Sequence, residues 1–253
     1  MRIMLHPGLV SITYRDLAPL EIIDLAAHAG LKGIEWGSDL HVPEDDIALA
    51  KEVGEKTRDA GLEVVSYGSY YRCDDSEPFE LYLEAALALK APIIRVWAGK
   101  QSSEAILPEG LLKIEANLYD ICEKAEAAGI GIVTEYHVNT LTDTRESCRQ
   151  LIESIGHPNL KTLWQPLRRG PGLNAKISEN LEDLRDIAPY LSNVHVYEWR
   201  DIEAGRSKRF SLQRSVQWPS YIEELNQIGG DRYLLIEYVA DDEPERLLTE
   251  AKA

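Results

Sequence analysis

Apolar and polar positions follow two alternating rhythms along this chain. Short runs rich in β-branched residues, at Ile3–His6, Gly33–Gly37, Glu63–Tyr70, Ile93–Ala98, Ile130–His137, Leu160–Pro166, Leu191–Trp199 and Tyr233–Val239, predict eight strands. Their starts fall about 30 to 40 residues apart, the length of one βα repeat. Between them lie longer stretches with helical spacing. Asp16 precedes the apolar set Leu20, Ile23, Leu25 and Ala26, and Gly30 follows, as a helix N-cap and a terminal glycine would. Glu44 to Ala60 closes at Gly61, Glu109 to Ala128 closes at Gly129, and Ser178-Glu179-Asn180-Leu181 opens a further helix with an acidic first turn.

Strands alternating with helices imply parallel pairing, and eight such units close into an α/β (β/α)8 TIM barrel. No linker, low-complexity tract or charge block divides the chain, so residues 1–253 are expected to form a single barrel domain. The longest connection, Arg200 to Gln217 after the seventh strand, has the length at which loops are usually functional or disordered.

Polar residues late in the strands are the chemical candidates, because active sites of such barrels lie at the C-terminal strand ends. The fifth strand ends in Glu135-Tyr136-His137, the seventh carries His195 and the eighth reaches Glu237. Two carboxylates and an imidazole converging on one mouth would suit a divalent cation such as Mn²⁺, Mg²⁺, Co²⁺ or Zn²⁺. The competing reading makes Glu135 and Glu237 rim carboxylates paired with arginine, and His195 a hydrogen-bonded core histidine. His6, ending the first strand, and Glu35, in the second, are further polar candidates for the mouth. Trp36, Trp97 and Trp199 are candidate apolar walls against a sugar ring, or simply packing.

The chain resembles the xylose isomerase-like TIM barrels, which include sugar phosphate isomerases and epimerases. The resemblance is carried by Glu135-Tyr136-His137 with Thr140-Leu141-Thr142-Asp143, by His195-Val196-Tyr197-Glu198-Trp199, by Trp218-Pro219-Ser220-Tyr221 and by Glu237-Tyr238-Val239. Arg95-Val96-Trp97-Ala98-Gly99 and Gly33-Ile34-Glu35-Trp36 add to it. It implies metal ligands at Glu135, His195 and Glu237, with Glu135 and Glu237 as catalytic carboxylates on opposite sides of a sugar. At the fourth ligand position, where the family commonly has Asp, this chain has Gln165. A Gln carbonyl can coordinate a hard cation, but the ligand set loses one negative charge. His137 shares a strand face with Glu135 by the two-residue period and is a candidate for the metal or, more simply, for substrate. The family's epimerases tend to carry a His shortly after the sixth-strand Asp and an Arg shortly after the seventh-strand His; here Arg168 stands three residues after Gln165, and Asp201 stands six after His195 with Arg200 beside it, so these substrate contacts depart from the family's pattern. The resemblance also implies a homo-oligomer.

Charge and cysteines narrow the partners. A formal net charge of −16 opposes the counterion release that drives nucleic-acid binding, so no nucleic-acid partner is expected. Three cysteines without CxxC spacing fit neither a disulfide framework nor a zinc knuckle. The first residues contain His and Pro too early for a signal peptide, and no apolar run is long enough for a membrane span, so a soluble cytoplasmic protein is expected. The basic loop Arg206, Lys208, Arg209, Arg214 is either a phosphate site or, lacking a glycine-rich cradle, a solvated loop.

These features together predict a divalent-metal-dependent isomerase or epimerase of a small sugar, sugar acid or cyclitol, working through an enediolate. The alternatives are a lyase or dehydratase on the same scaffold, a DNA-repair hydrolase, which the acidic charge and six histidines argue against, and a non-catalytic sugar-binding barrel with a decayed metal site.

Overall fold

A computed structural model describes residues 4–166, 176–203 and 206–253. Eight parallel strands form a closed barrel: β1 Met4–Val10, β2 Gly33–Gly37, β3 Glu63–Gly68, β4 Ile93–Val96, β5 Gly131–Thr134, β6 Leu160–Trp164, β7 Leu191–Val196 and, closing the ring between β7 and β1, β10 Asp231–Ile236. Helices α1 Pro19–His28, α2 Ile47–Asp59, α3 Phe79–Leu89, α4 Pro108–Ala127, α5 Arg145–Ile155, α6 Ile177–Ile187 and α7 Trp218–Ile228 follow successive barrel strands, and the short α8 Leu247–Glu250 follows β10. The barrel and its helices are those of a (β/α)8 fold. With helices outside and packed side chains inside, most positions in the barrel strands are buried, which is why these strands read as continuous apolar runs.

Three local readings change. The first strand does not stop at His6: it continues through Pro7 and Gly8 to Val10, pairing with β10 from Met4↔Asp231 to Leu9↔Ile236. Pro-Gly reads as punctuation in a sequence, yet here Gly8 is needed because a Cβ would sit 2.7 Å from Leu235 Cδ2 and 2.9 Å from the Gly33 carbonyl oxygen. Asp16 does not cap α1. That helix starts at Pro19, and Glu21 accepts the Ala18 amide at 2.8 Å instead. The loop after β7 also contains unexpected structure, an antiparallel hairpin of β8 Trp199–Glu203 and β9 Arg206–Arg209. Elsewhere the terminators hold: α2 is capped by the Asp46 carboxylate on the Leu49 amide at 2.9 Å and is followed by Gly61 at φ +77°.

No helix among the described residues is long and apolar enough to cross a membrane.

Candidate active site

At the C-terminal ends of the strands, six barrel strands deliver charged or amide side chains into one buried space. Glu35 comes from β2, Arg95 from β4 and His195 from β7, while Glu135, Gln165 and Glu237 follow β5, β6 and β10 directly. Backbone bonds carry Glu135 and Glu237 one residue past their strands, each amide donating to the neighbouring strand at 2.9 Å (to the carbonyls of Val96 and Val196). Glu35, Arg95, Glu135, Gln165, His195 and Glu237 are all buried.

The centre of the arrangement is a cation the sequence reading gave no role. The Arg95 guanidinium lies 2.6 Å from Glu135 Oε2 and donates to Glu35 Oε1 at 3.4 Å and to the Ser69 carbonyl at 3.2 Å. Ser66 donates its hydroxyl to the other Glu35 oxygen at 2.6 Å. His195 stands between two carboxylates, with Nε2 3.3 Å from Glu35 and Nδ1 3.4 Å from Glu237. An arginine inside the otherwise apolar strand Ile93–Val96 was the signal that could have revealed this cluster, because a buried guanidinium requires carboxylates around it.

Burial alone would raise the Glu35 carboxyl, but the charges of His195 and Arg95 override it and hold the group at about 2. Burial would lower the His195 imidazole, and the carboxylates of Glu35 and Glu237 instead raise it to about 10. The cluster therefore pairs three carboxylates with a guanidinium and an imidazolium.

The metal expectation meets this geometry directly. Gln165 turns its amide nitrogen, not its carbonyl, toward Glu135 Oε1 at 3.4 Å, an orientation set by donation to the Tyr136 carbonyl at 2.9 Å. Among the described residues, no three carboxylate and imidazole ligand atoms at the mouth lie within 4.8 Å of one another. Glu135, Gln165, His195 and Glu237 line the same space, but with Arg95 and the Gln165 amide among them they do not close on one cation. As arranged, the residues do not fit a divalent site. Ligand atoms of Glu123, Glu126 and His157 do lie that close together, on the outside of the barrel. There His157 Nδ1 accepts the Asn159 amide at 3.1 Å, so Nε2 carries the proton and donates to Glu123 at 2.7 Å. That histidine is satisfied without a metal.

His137 sits at the rim, half-buried. The loop after it is knitted by hydroxyls: Thr140 donates to the His137 carbonyl at 2.7 Å, the Thr142 amide donates to Thr140 Oγ1 at 3.1 Å, and Thr142 donates to the Glu135 carbonyl. Asn139 takes the left-handed conformation, φ +60°, that this tight turn requires. His137 Nδ1 faces the Val138 carbonyl at 2.7 Å. A carbonyl only accepts, so Nδ1 carries a proton, and it is Nε2 that is placed to exchange one. Trp97 packs against the ring, centroids 4.6 Å apart.

The remaining candidates divide. Glu35 is part of the cluster and Trp97 belongs to the rim, whereas Trp36 is fully buried with its indole N–H on Thr57 Oγ1 at 3.2 Å. His6 is corrected: it lies 2.6 Å from Asp231, the first residue of β10, at the opposite end of the barrel, because β1 runs four residues beyond it. Arg200 donates through Nε to buried Glu198 at 2.6 Å, which holds it against its own loop. Trp199 opens the hairpin and meets Tyr238 edge-on at 5.6 Å. In the basic loop, Lys208 and Arg209 pair with Asp241 and Asp242, so these two charges are already neutralised. Arg168 lies outside the described residues.

Comparison with known proteins agrees with this architecture. A 3-dehydroshikimate dehydratase from Bacillus anthracis is 22% identical over 96% of this chain and 93% of its own. The crystal structure of the probable 3-DHS dehydratase of Bacillus anthracis superposes with a TM-score of 0.81 at 19% identity, covering 98% of each chain. A D-allulose 3-epimerase from Methylomonas sp., in complex with D-allulose, gives 0.72 at 15% identity over 99% of this chain and 96% of that one. A barrel protein from Mycobacterium smegmatis in complex with magnesium gives 0.71 at 14% identity over 100% and 96%. The family model described as xylose isomerase-like TIM barrel matches residues 23–253. With that match over most of its length, a closed eight-stranded parallel barrel and charged residues gathered at the strand ends, the chain belongs to the xylose isomerase-like TIM barrel family.

Proposed function

We propose that this protein is a lyase that takes a proton from the carbon beside a carbonyl of a small polyhydroxylated compound and expels water from the next carbon. The observation that carries the reading is the state of the bases at the mouth. His137 has its Nδ1 on the Val138 carbonyl and, among the described residues, no side-chain partner at Nε2, while Glu135 is tied to Arg95 at 2.6 Å and Glu237 to His195 at 3.4 Å. Both carboxylates are engaged in buried ion pairs, so among the described residues of the mouth His137 is the base left to accept a proton. Elimination of water needs one base, whereas epimerisation through an enediolate needs a second on the opposite face.

In this reading His137 accepts the α-proton and the electron pair passes to the carbonyl oxygen. Arg95 and the His195 imidazolium supply the positive potential that stabilises the resulting enolate in a water-poor space. The enolate electron pair then re-forms the carbonyl and drives out the hydroxyl on the next carbon, which takes the proton held by His137 and departs as water, returning the base to its starting state. The aligned B. anthracis relative, a dehydratase, supports the reading.

A second reading, isomerisation or epimerisation of a small sugar, draws on Glu135 and Glu237 reaching the same mouth and on the D-allulose epimerase among the structural relatives. Incubation in D₂O with a panel of polyhydroxylated ketones and keto acids separates the two. A conjugated, ultraviolet-absorbing product formed with loss of water supports the lyase. Deuterium incorporation into unchanged substrate or its epimer, without dehydration, replaces it with the second reading. If no substrate exchanges or eliminates, the reaction class is wrong.

A further inference from the structure

Arg72 lies on the segment after β3, and its surroundings at the mouth are unlike those of the other cations there. Its guanidinium carbon stands 3.9 Å from the centroid of the Trp97 ring, the ring that also packs on His137. Arg72 is half-buried, yet among the described residues it makes no ion pair and donates no side-chain hydrogen bond. Its neighbours behave otherwise: Arg15 is paired with Asp39, Lys100 with Asp74 at 2.7 Å, and Arg95 with Glu35 and Glu135. The Trp97 indole N–H, beside it, is buried and among the described residues also lacks an acceptor. Two adjacent donors without acceptors, in a site otherwise rich in pairs, leave a place for an acceptor that arrives from outside.

The platform is rigid. The Trp97 amide donates to the Tyr71 carbonyl and the Gly99 amide to the Arg72 carbonyl, both at 2.9 Å, so the loop after β3 is stitched to the loop after β4. Gly99 at φ +84° makes that second bond reachable. Tyr70 stacks on Trp97, centroids 6.0 Å apart, and completes the aromatic support. A guanidinium seated over an indole ring, its carbon 3.9 Å from the centroid, keeps N–H groups available for a planar, two-oxygen acceptor.

From this geometry we infer that Arg72, with the Trp97 indole N–H, forms an anion-recognising subsite, and that the substrate carries a carboxylate or phosphate bound there, next to His137. The inference rests on the proposed reaction for its substrate but not for the binding itself. The three carboxylates of the cluster do not forbid it. Their charge is met locally by Arg95 and His195, and Glu135, the carboxylate nearest in Arg72's field, is already held by Arg95. The anionic group also fixes one end of the substrate, so that the carbon beside its carbonyl meets the same base in every binding event.

The test is calorimetric titration of the wild-type protein, R72Q and R72K with D-glucuronate, D-ribulose 5-phosphate and the neutral ketose D-fructose. At least one anion is expected to bind the wild type ten-fold or more tightly than fructose, and the preferred anion identifies carboxylate or phosphate. R72Q should lose that preference while keeping its circular dichroism and unfolding midpoint, and R72K should retain part of it. Equal binding of the neutral sugar, no binding by either anion, or an undiminished preference in R72Q overturns the inference. Because titration reads binding without turnover, a protein that binds the anion through Arg72 but neither exchanges nor eliminates retains the subsite and loses the proposed reaction.

Discussion

Arg95 Nη1 and Glu135 Oε2 lie 2.6 Å apart in a space where both side chains are buried, and the same guanidinium reaches Glu35. Removing one member of such a pair leaves uncompensated buried charge, which costs about 3–5 kcal/mol. R95A should therefore unfold at markedly lower urea concentration. It should also leave Glu35 and Glu135 without their cation, so that Mn²⁺ stabilises R95A in a thermal-shift titration far more than the parent. Equal stabilisation of the parent would show that Arg95 does not hold the cation's place.

Gly68 makes room for this pair. A Cβ there would sit 2.8 Å from Arg95 Nη2 and 2.9 Å from Glu35 Oε1. G68A should cost about 1–3 kcal/mol through forced displacement and reduce turnover by moving the cluster. A chemical-denaturation midpoint indistinguishable from the parent's would mean that the ion pair is free to shift.

His137 is half-buried at the rim, where substitution should not threaten the fold. H137Q is expected to lower kcat by about 10²–10⁴-fold, the usual contribution of a general base, with an unchanged unfolding midpoint. A variant that turned over at the parental rate would remove His137 from the chemistry and return attention to the carboxylates.

Stability should depend on pH in two opposite limbs. Glu35 is held at about 2 against an ordinary 4.5, so its contribution is present above pH 4.5 and is lost as pH falls toward 2. His195 is raised from 6.5 to about 10, so its contribution is complete below pH 6.5 and is lost as pH rises toward 10. Urea midpoints measured across this range should show a plateau between the two limbs, and H195Q should flatten the alkaline one. An alkaline limb unchanged in H195Q would assign it to another group.

Gln165 tests how the cluster is balanced. Its amide donates to Glu135 and to the Tyr136 carbonyl, and Q165D replaces that donor with an acceptor beside a carboxylate. Q165D should lose about 1–3 kcal/mol, the cost of leaving a buried acceptor unsatisfied and facing another, and Mn²⁺ should restore part of it. Calorimetric unfolding with and without the metal measures both.

How much of this was legible beforehand varies with the range of the interaction. Strand periodicity, the βα spacing and the glycines at 30, 61 and 129 are local properties, and they specified the barrel with most of its helix ends. Glu135, His195 and Glu237 were legible because a polar residue ending an apolar strand stands out. His6 was misplaced because Pro7-Gly8 resembles a stop, whereas a close crossing of neighbouring strands demands that glycine. The significance of Arg95 and Arg72 depends on what lies across the barrel, which no local pattern states: one is ringed by the carboxylates of Glu35 and Glu135, the other faces an indole and, among the described residues, makes no ion pair.

The sequence by itself determined the (β/α)8 architecture and the end of the barrel where chemistry gathers, because both follow from periodicities of two and 3.6 residues and from which residue ends each run. Only the tertiary structure decided what those residues do together. It set a guanidinium among the carboxylates, turned the Gln165 amide nitrogen toward Glu135, and left His137 Nε2 and the Arg72 guanidinium without side-chain partners among the described residues. These are outcomes of distances between strands that lie far apart in sequence, where charge pairing in a buried space selects one arrangement from several that the same residues would allow.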